Sequence, residues 1–151
     1  MINLHPQVVH FPVALVFTLG IYELWFFFKK QETGTSARSL LLVIAFLGAA
    51  AAVGTGLWYE EFMPHPHEGV VHEIMEQHET LGWVVFGGLA LLNIINFFLR
   101  TKKWNRPVYR MLLVLTLVGV ATQAYLGGEL GHTHGLSLPE GQHPPMHLHE
   151  H

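Results

Sequence analysis

Histidine is the residue type in this sequence best suited to chemistry, and its twelve copies fall into three groups. His5 and His10 precede the first of four long apolar runs, a second group lies between the second and third runs, and a third group follows the fourth. Neutral imidazole binds transition metals and haem iron, and it exchanges protons near neutral pH. Because the chain has no cysteine, thiolate metal sites, iron–sulphur clusters and thioether-attached haem are excluded.

Two histidines stand close to the starts of apolar runs, where burial would give them a specific role. His10 directly precedes the first run, and His78 lies shortly before the third. An ionisable residue at such depth in a membrane protein is a functional candidate, because its burial is expensive. We expect His78 to be the best internal ligand of its group. His10 is either a ligand or an interfacial histidine bonded to a carbonyl group or to water.

Carboxylates accompany several histidines and suggest a second kind of site. Glu68, His72 and Glu76 recur at steps of four and share one face of a helix, which could bind a divalent cation or form a solvated polar face. Glu129 and His132 have the Glu-x-x-His spacing of carboxylate di-iron bundles, but a single pair is too few for that site. Histidines and a methionine near the C-terminus suit copper, zinc or nickel, or form a hydrophilic tail that binds metal adventitiously.

Four apolar runs must position these side chains, over residues 11–28, 40–58, 81–99 and 108–126. Each has about 18–20 residues, the length that crosses a hydrocarbon core of roughly 30 Å as a helix. Residues 45–53 and 84–92 lack the polar face that a soluble bundle would need. We therefore predict an all-α, integral membrane four-helix bundle over residues 1–137, followed by a histidine-rich tail over residues 138–151.

Packing inside this bundle is suggested by small and polar residues within the runs. The second run is rich in glycine and alanine at steps of four, which favours tight helix packing or room for a flat cofactor. Asn93 and Asn96 share one face of the third run and should hydrogen-bond between helices. Trp104 and Tyr109 suit a position at the membrane interface.

Charge is divided between the two sides of the predicted bundle. All eight lysines and arginines lie in or beside the loops after the first and third runs. Because short cytoplasmic loops are enriched in these residues, we expect these loops to face the cytoplasm. Both termini and every histidine then lie on the outer side of the membrane, where nothing suggests nucleic-acid binding. The first run lacks the flanking features of a signal peptide, so we interpret it as an uncleaved span.

Two segments carry a resemblance to a known family. Residues 4–15, Leu-His-Pro-Gln-Val-Val-His-Phe-Pro-Val-Ala-Leu, resemble the opening of the bacterial membrane proteins classed as domain of unknown function 2231. Residues 124–135 resemble its closing Gly-Gly-Glu-Leu…His-Gly motif, and His78 with Glu79 resembles its central histidine. The resemblance covers roughly residues 1–137 and matches the family's recurrent histidines to His5, His10, His78 and His134. Related domains are joined to c-type cytochrome or Rieske modules, which implies membrane redox work beside a cytochrome c, a Rieske protein or another respiratory subunit.

The leading functional hypothesis is a subunit that binds b-type haem and transfers electrons at the outer face, rather than a stand-alone enzyme. Histidines from different helices could hold the iron, and bis-histidine ligation suits electron transfer because it leaves no open iron position. We predict His10 and His78 as the axial pair, with His5 and His134 as a second pair or as supporting residues. The main objection is that haem propionates favour cations, which the outer side lacks.

Two other functions remain open. The first is an outer-face site for copper, zinc, nickel or iron ions, built from His72, His132, Glu68, Glu76 and Glu129. Metal affinity at such a site should fall as the histidines protonate below about pH 6.5. The second is a structural subunit of a larger respiratory or photosynthetic assembly, whose histidines contact only neighbouring groups.

Overall fold

Four long helices make up the structure, which is a computed structural model describing residues 5–31, 34–62, 69–99 and 106–133, without the side chains at 35, 99, 132 and 133. The elements in chain order are α1 His5–Phe28, α2 Thr35–Phe62, α3 Val70–Leu99 and α4 Arg106–Gly128, followed by one π-helical turn, Glu129–Thr133. The prediction of an all-α chain with four long helices is confirmed. The proposed tail over residues 138–151 lies outside the described residues.

The surface of the bundle is apolar around its circumference. Large apolar side chains are exposed on every helix, including Ile21, Leu47, Val84 and Val118. A helix that is apolar on its outer as well as its inner face is expected in lipid rather than in water. All four helices are also long and apolar enough to cross a membrane. The chain is therefore a membrane protein with four candidate spans.

The helices follow one another around the bundle. α1 packs against α2, α2 against α3, α3 against α4, and α4 closes the ring against α1. Successive helices are antiparallel, so α1 and α3 begin at the same end and face each other across the bundle axis. We call this the histidine end, because it holds His5 and His78. The opposite end, where α1 and α3 finish, is called the basic end.

The core fills the middle of the bundle. Val16, Leu19, Leu42, Leu89 and Leu92 are buried almost completely and pack together there. The close approach of α1 and α2 depends on small residues of α2, since a Cβ at Gly48 would lie 3.0 Å from Phe11. The interpretation of the small residues as a packing surface therefore holds at this position.

Amide side chains join α3 to α2, as the sequence predicted. Asn93 donates to the backbone carbonyl oxygen of Leu42, at 3.2 Å, and Asn96 donates to the hydroxyl oxygen of Ser39, at 2.8 Å. Both donors lie inside a candidate span, where no water is available to replace the lost partner. These bonds fix the register of the two helices below the histidine end.

A buried ion pair lies near the basic end. Arg38 of α2 donates to the carboxylate of Glu23 of α1, with 2.5 Å between Nε and Oε1. The guanidinium of Arg38 also lies over the ring of Tyr109, 5.1 Å from its centre. Tyr109 is only 1% exposed. The ring of Tyr109 therefore supports Arg38 inside the bundle, and its depth at the membrane interface stays a prediction. Trp104 lies outside the described residues.

Helices extend beyond the apolar runs at the histidine end. α1 begins at His5 rather than near residue 11, and α3 begins at Val70 rather than near residue 81. The helical face predicted for Glu68, His72 and Glu76 requires a helix before the third apolar run, and this is confirmed for the described residues from Val70 onward. As a result His5, His10 and His78 are all helical, and each side chain has a fixed direction set by the helix.

Candidate functional site

A cavity of about 460 Å³ lies between the helices at the histidine end. Residues of all four helices and of the π-helical turn line it. On α3 the lining runs from His72 to Leu89, about 25 Å at the rise of an α-helix. Its deep walls are apolar and rest on core residues such as Val16 and Leu89. The volume lies within the range of about 300–1,000 Å³ that is typical of ligand sites.

His5 of α1 and His78 of α3 meet across this cavity. Their ring centres are 6.2 Å apart, and their ring planes stand at 86° to each other. Both side chains are half-buried and both line the cavity. A metal that takes one nitrogen from each of two imidazoles at about 2 Å would hold the ring centres about 6 Å apart. The spacing of the two rings therefore suits one metal centre between them.

Each ring lies against a glycine of the next helix. A Cβ at Gly56 of α2 would lie 3.2 Å from Cε1 of His5, and a Cβ at Gly127 of α4 would lie 3.1 Å from Cε1 of His78. Both distances are shorter than the usual carbon contact of about 3.5–4.0 Å, so any larger residue would displace the ring. The hairpins α1–α2 and α3–α4 thus build matching halves of the site, each with one histidine and one glycine.

The hydroxyl of Thr55 defines the hydrogen-bonding role of His5. The oxygen of Thr55 lies 3.1 Å from Nδ1 of His5, and it lies 3.0 and 2.9 Å from the carbonyl oxygens of Ala51 and Ala52. Because the hydroxyl hydrogen points to these carbonyl groups, the oxygen accepts the N–H of His5 Nδ1. Nε2 of His5 then carries the lone pair that can bind a metal.

The amide of Gln123, on α4, plays the corresponding part for His78. Nε2 of Gln123 lies 3.2 Å from Nε2 of His78 and can only donate, so this ring nitrogen accepts. Three buried side-chain atoms of the described residues have no hydrogen-bond partner: the hydroxyl of Tyr109 near the basic end, and Nδ1 of His78 and Oε1 of Gln123. Buried polar atoms of this kind are rare in native structures. The two atoms of His78 and Gln123 belong to residues that line the cavity and form part of its polar wall.

His10, the other member of the predicted axial pair, lies elsewhere. Its Nδ1 donates to the carbonyl oxygen of Pro6, one turn earlier in α1, and its side chain is exposed. It does not contribute to the lining of the cavity, whereas His5, five residues earlier and about 140° around the helix, does. The structure therefore brings together His5 and His78 and leaves His10 outside this group.

The remaining predicted site residues are distributed unevenly. His72 and Glu76 line the cavity, whereas Glu129 is half-buried in the π-helical turn. Glu68 and His134 lie outside the described residues, and the side chain of His132 is not described. No group of three histidine or carboxylate side chains in the described ranges is arranged to hold a metal ion. The proposed metal-ion site remains a prediction.

The cavity wall is acidic where it is charged. Glu60, Glu76 and Glu79 contribute to the lining and are exposed. Lysine and arginine are absent from the lining formed by the described residues. The carboxylates of a haem would therefore find no permanently cationic partner among these lining residues. A neutral or cationic ligand meets no such difficulty.

Two of the residues that build the site, Thr55 and Gln123, did not emerge from the sequence, and Gly56 emerged only as one of the small residues of the second apolar run. All three act through contacts between helices that pair only in the folded bundle. Gln123 had a usable signal, since it is the one glutamine of the fourth apolar run and stands four residues before Gly127. A costly polar side chain in a span, one helical turn from a glycine, is typical of an interhelical contact.

Comparison with known proteins gives the family and no activity. The profile of a family described as "Predicted membrane protein (DUF2231)" matches residues 1–139. The match includes all four helices together with His5, His78 and Gln123. No curated protein and no solved structure matches the chain. The chain belongs to the DUF2231 family of predicted membrane proteins.

Proposed function

We propose that this protein binds a b-type haem between His5 and His78 and transfers single electrons at the histidine end of the bundle. The observation that carries the proposal is the pair of facing imidazoles, 6.2 Å apart between ring centres, in a cavity of about 460 Å³. The axial pair differs from the pair favoured by the sequence, because His5 rather than His10 lies in the cavity.

The number of protein ligands favours haem over a bare metal ion. The porphyrin supplies four nitrogens, so iron needs only two more from the protein. Zinc sites, by contrast, use about three or four protein ligands. The described residues offer two facing histidines and no group of three metal-binding side chains. This is the donor set expected for a bis-histidine haem.

The residues of the chain would bind, orient and shield such a group. His5 and His78 would supply Nε2 atoms, with Thr55 orienting the first ring through Nδ1. Gly56 and Gly127 leave space for the rings, and the apolar deep wall would exclude water from the macrocycle. A haem held by two histidines supplies a one-electron couple and has no open position for substrate.

The location and partners follow as further parts of the proposal. The distribution of lysine and arginine favours a periplasmic histidine end in a bacterial inner membrane. The exposed carboxylates Glu60, Glu76 and Glu79 border the site. A one-electron partner such as a cytochrome c or Rieske protein would exchange electrons there, on the side of the membrane away from the basic loops.

The test is the reduced-minus-oxidised visible spectrum of detergent-purified protein, with metal analysis of the same sample. We expect the α-band of a b-type haem with about one iron per chain. Changing His5 or His78 to alanine should remove the band while leaving far-ultraviolet circular dichroism unchanged. His10→Ala is the matched control, because His10 is a helical histidine of the same end that lies outside the cavity, and it should keep the band.

Each other outcome contradicts a defined part of the proposal. Loss of the band in His10→Ala but not in His5→Ala would restore His10 as the ligand. A sample without haem that holds stoichiometric copper, zinc or nickel would replace electron transfer by metal binding. A sample with neither, even after haem is added to membranes before extraction, would leave a structural role in a larger complex.

A further inference from the structure

The two histidines of the site differ in what holds their metal-binding nitrogen. Nδ1 of His5 donates to the hydroxyl oxygen of Thr55, so this contact is made by the ring nitrogen that is not proposed to bind iron. In His78 the contact is at Nε2 itself, 3.2 Å from the amide nitrogen of Gln123. Gln123 therefore occupies the position next to the nitrogen that the proposed function assigns to iron.

The amide of Gln123 is held in this position by the packing of α3 and α4. A Cβ at Gly82 would lie 3.1 Å from Nε2 of Gln123, so the absence of a side chain at Gly82 makes room for the amide. His78 and Gly82 are four residues apart on α3, as Gln123 and Gly127 are on α4. His78 lies over Gly127 while Gln123 lies over Gly82, and the two helices thereby interlock around one hydrogen bond.

We propose that Gln123 is a positioning residue that holds Nε2 of His78 through its N–H until a ligand takes that nitrogen. The inference rests on the proposed function and deepens it. Because the amide donates, it selects the tautomer with hydrogen on Nδ1, which is the tautomer that Thr55 selects in His5. Both histidines thus share one tautomer, although in His78 the amide of Gln123 occupies the nitrogen that iron would take.

This arrangement predicts whether substitution of Gln123 raises or lowers the affinity for haem. The hydrogen bond exists only while Nε2 is free, so it stabilises the cofactor-free state and competes with iron. Gln123→Met keeps most of the side-chain volume and removes the donor. Haem affinity should therefore rise about 2- to 10-fold, the range expected from loss of one neutral hydrogen bond. A residue that only filled space would give unchanged or weaker binding.

The experiment is a haem titration of the full chain in detergent, followed by absorbance, for the wild type, Gln123→Met and Thr122→Leu. Thr122 is the matched control, because it neighbours Gln123 on α4 but is exposed and bonds only to its own helix at Val118. Its substitution should leave the affinity unchanged. Equal or lower affinity in Gln123→Met would overturn the inference while leaving haem binding in the wild type intact.

A second readout does not require haem. Histidine labelled with ¹⁵N should show, in the cofactor-free wild type, that His78 is protonated on Nδ1 and not on Nε2. In Gln123→Met the ring should shift toward the tautomer with hydrogen on Nε2. A wild-type ring already protonated on Nε2 would contradict the role of Gln123 whatever the haem titration gives. Failure of the wild type to bind haem would remove the proposed function separately.

Discussion

At the scale of single residues, the site depends on two glycines, whose lack of a side chain leaves space for each histidine ring. Gly56 and Gly127 lie where any larger side chain would meet Cε1 of His5 or His78. Glycine is costly inside a helix, so its presence at both matching positions needs a reason beyond helix formation. Space for the two rings supplies that reason.

If the proposed function holds, replacing these glycines should weaken haem binding. Gly127→Ala would place a Cβ 3.1 Å from the His78 ring and force the ring to move. Overpacking of this kind costs about 1–3 kcal/mol, so we expect haem affinity to fall about 10-fold or more, measured by titration. Gly128→Ala is the matched control, since nothing lies within 4 Å of its added Cβ. Equal effects of the two substitutions would show that the space beside His78 is not what matters.

The hydrogen bond at His5 can be tested in the same way. Thr55→Val keeps the shape of the side chain but removes the oxygen that accepts from Nδ1 of His5. Because that bond orients the ring and raises the basicity of the ligating nitrogen, its loss should weaken haem binding about 10-fold, within the range of about 10- to 100-fold known for such partners of metal ligands. The discriminating result is that haem affinity falls in Thr55→Val but rises in Gln123→Met. An increase in both variants would contradict the distinct roles of Thr55 and Gln123.

The sequence identified the histidines of the site but not their pairing. His78 was expected to be internal, and it lines the cavity. His10 was favoured over His5 because it directly precedes an apolar run, yet α1 begins at His5 and turns His10 outward. The depth of a histidine in the membrane can be predicted from the hydropathy of the sequence around it. The direction of its side chain relative to the cavity depends on which helices pack against its own helix, and this is known only from the folded bundle.

At the scale of the helices, the two ends of the bundle are built differently. The histidine end encloses a cavity, and the region toward the basic end is filled by apolar side chains and by Glu23, Arg38 and Tyr109. This polar group joins α1, α2 and α4 within candidate spans, where ionised side chains are tolerated only when paired. None of the three residues lines the cavity, so we infer that this group holds the helices together.

Breaking the ion pair from one side should destabilise the bundle strongly. Glu23→Gln leaves Arg38 charged and buried, for which a cost of about 3–5 kcal/mol is expected. The measurement is unfolding in mixed micelles, followed by circular dichroism. The double variant Glu23→Gln with Arg38→Met should recover part of the loss, because the uncompensated charge is gone. If the double variant is no more stable than Glu23→Gln alone, the pair is not the source of the effect.

The four helices themselves were predictable, because each needs a long apolar run and little else. The extension of α3 at the histidine end was also predictable from the helical spacing of Glu68, His72 and Glu76, whereas the apolar run alone did not predict that α1 begins at His5. The matching halves of the site, one from each hairpin, left no recognisable repeat in the sequence. Only one glycine and one histidine are equivalent in each half, which is too little for a pattern.

At the scale of the whole molecule, the distribution of charge predicts which end of the bundle faces the cytoplasm. In the sequence, all lysines and arginines lie in or beside the loops after the first and third apolar runs, whereas all histidines lie before the first run, between the second and third, or after the fourth. Arg38 adds little to the charge difference between the two ends, because it forms an ion pair with Glu23 inside the bundle. The other basic residues still predict a cytoplasmic basic end by the positive-inside rule. The proposed electron transfer would then take place in the periplasm.

This orientation can be measured directly because the chain has no cysteine of its own. Glu61→Cys places one thiol at the histidine end and Gln31→Cys places one at the basic end, both at exposed positions. In intact spheroplasts a membrane-impermeant maleimide should label the first variant at once and the second only after permeabilisation. The reverse pattern would put the cavity in the cytoplasm and exclude periplasmic cytochromes as partners, while leaving the histidine pair and its cofactor unaffected. Labelling of both variants without permeabilisation would instead show that the helices do not form a uniformly oriented bundle, which the short basic loops are expected to prevent.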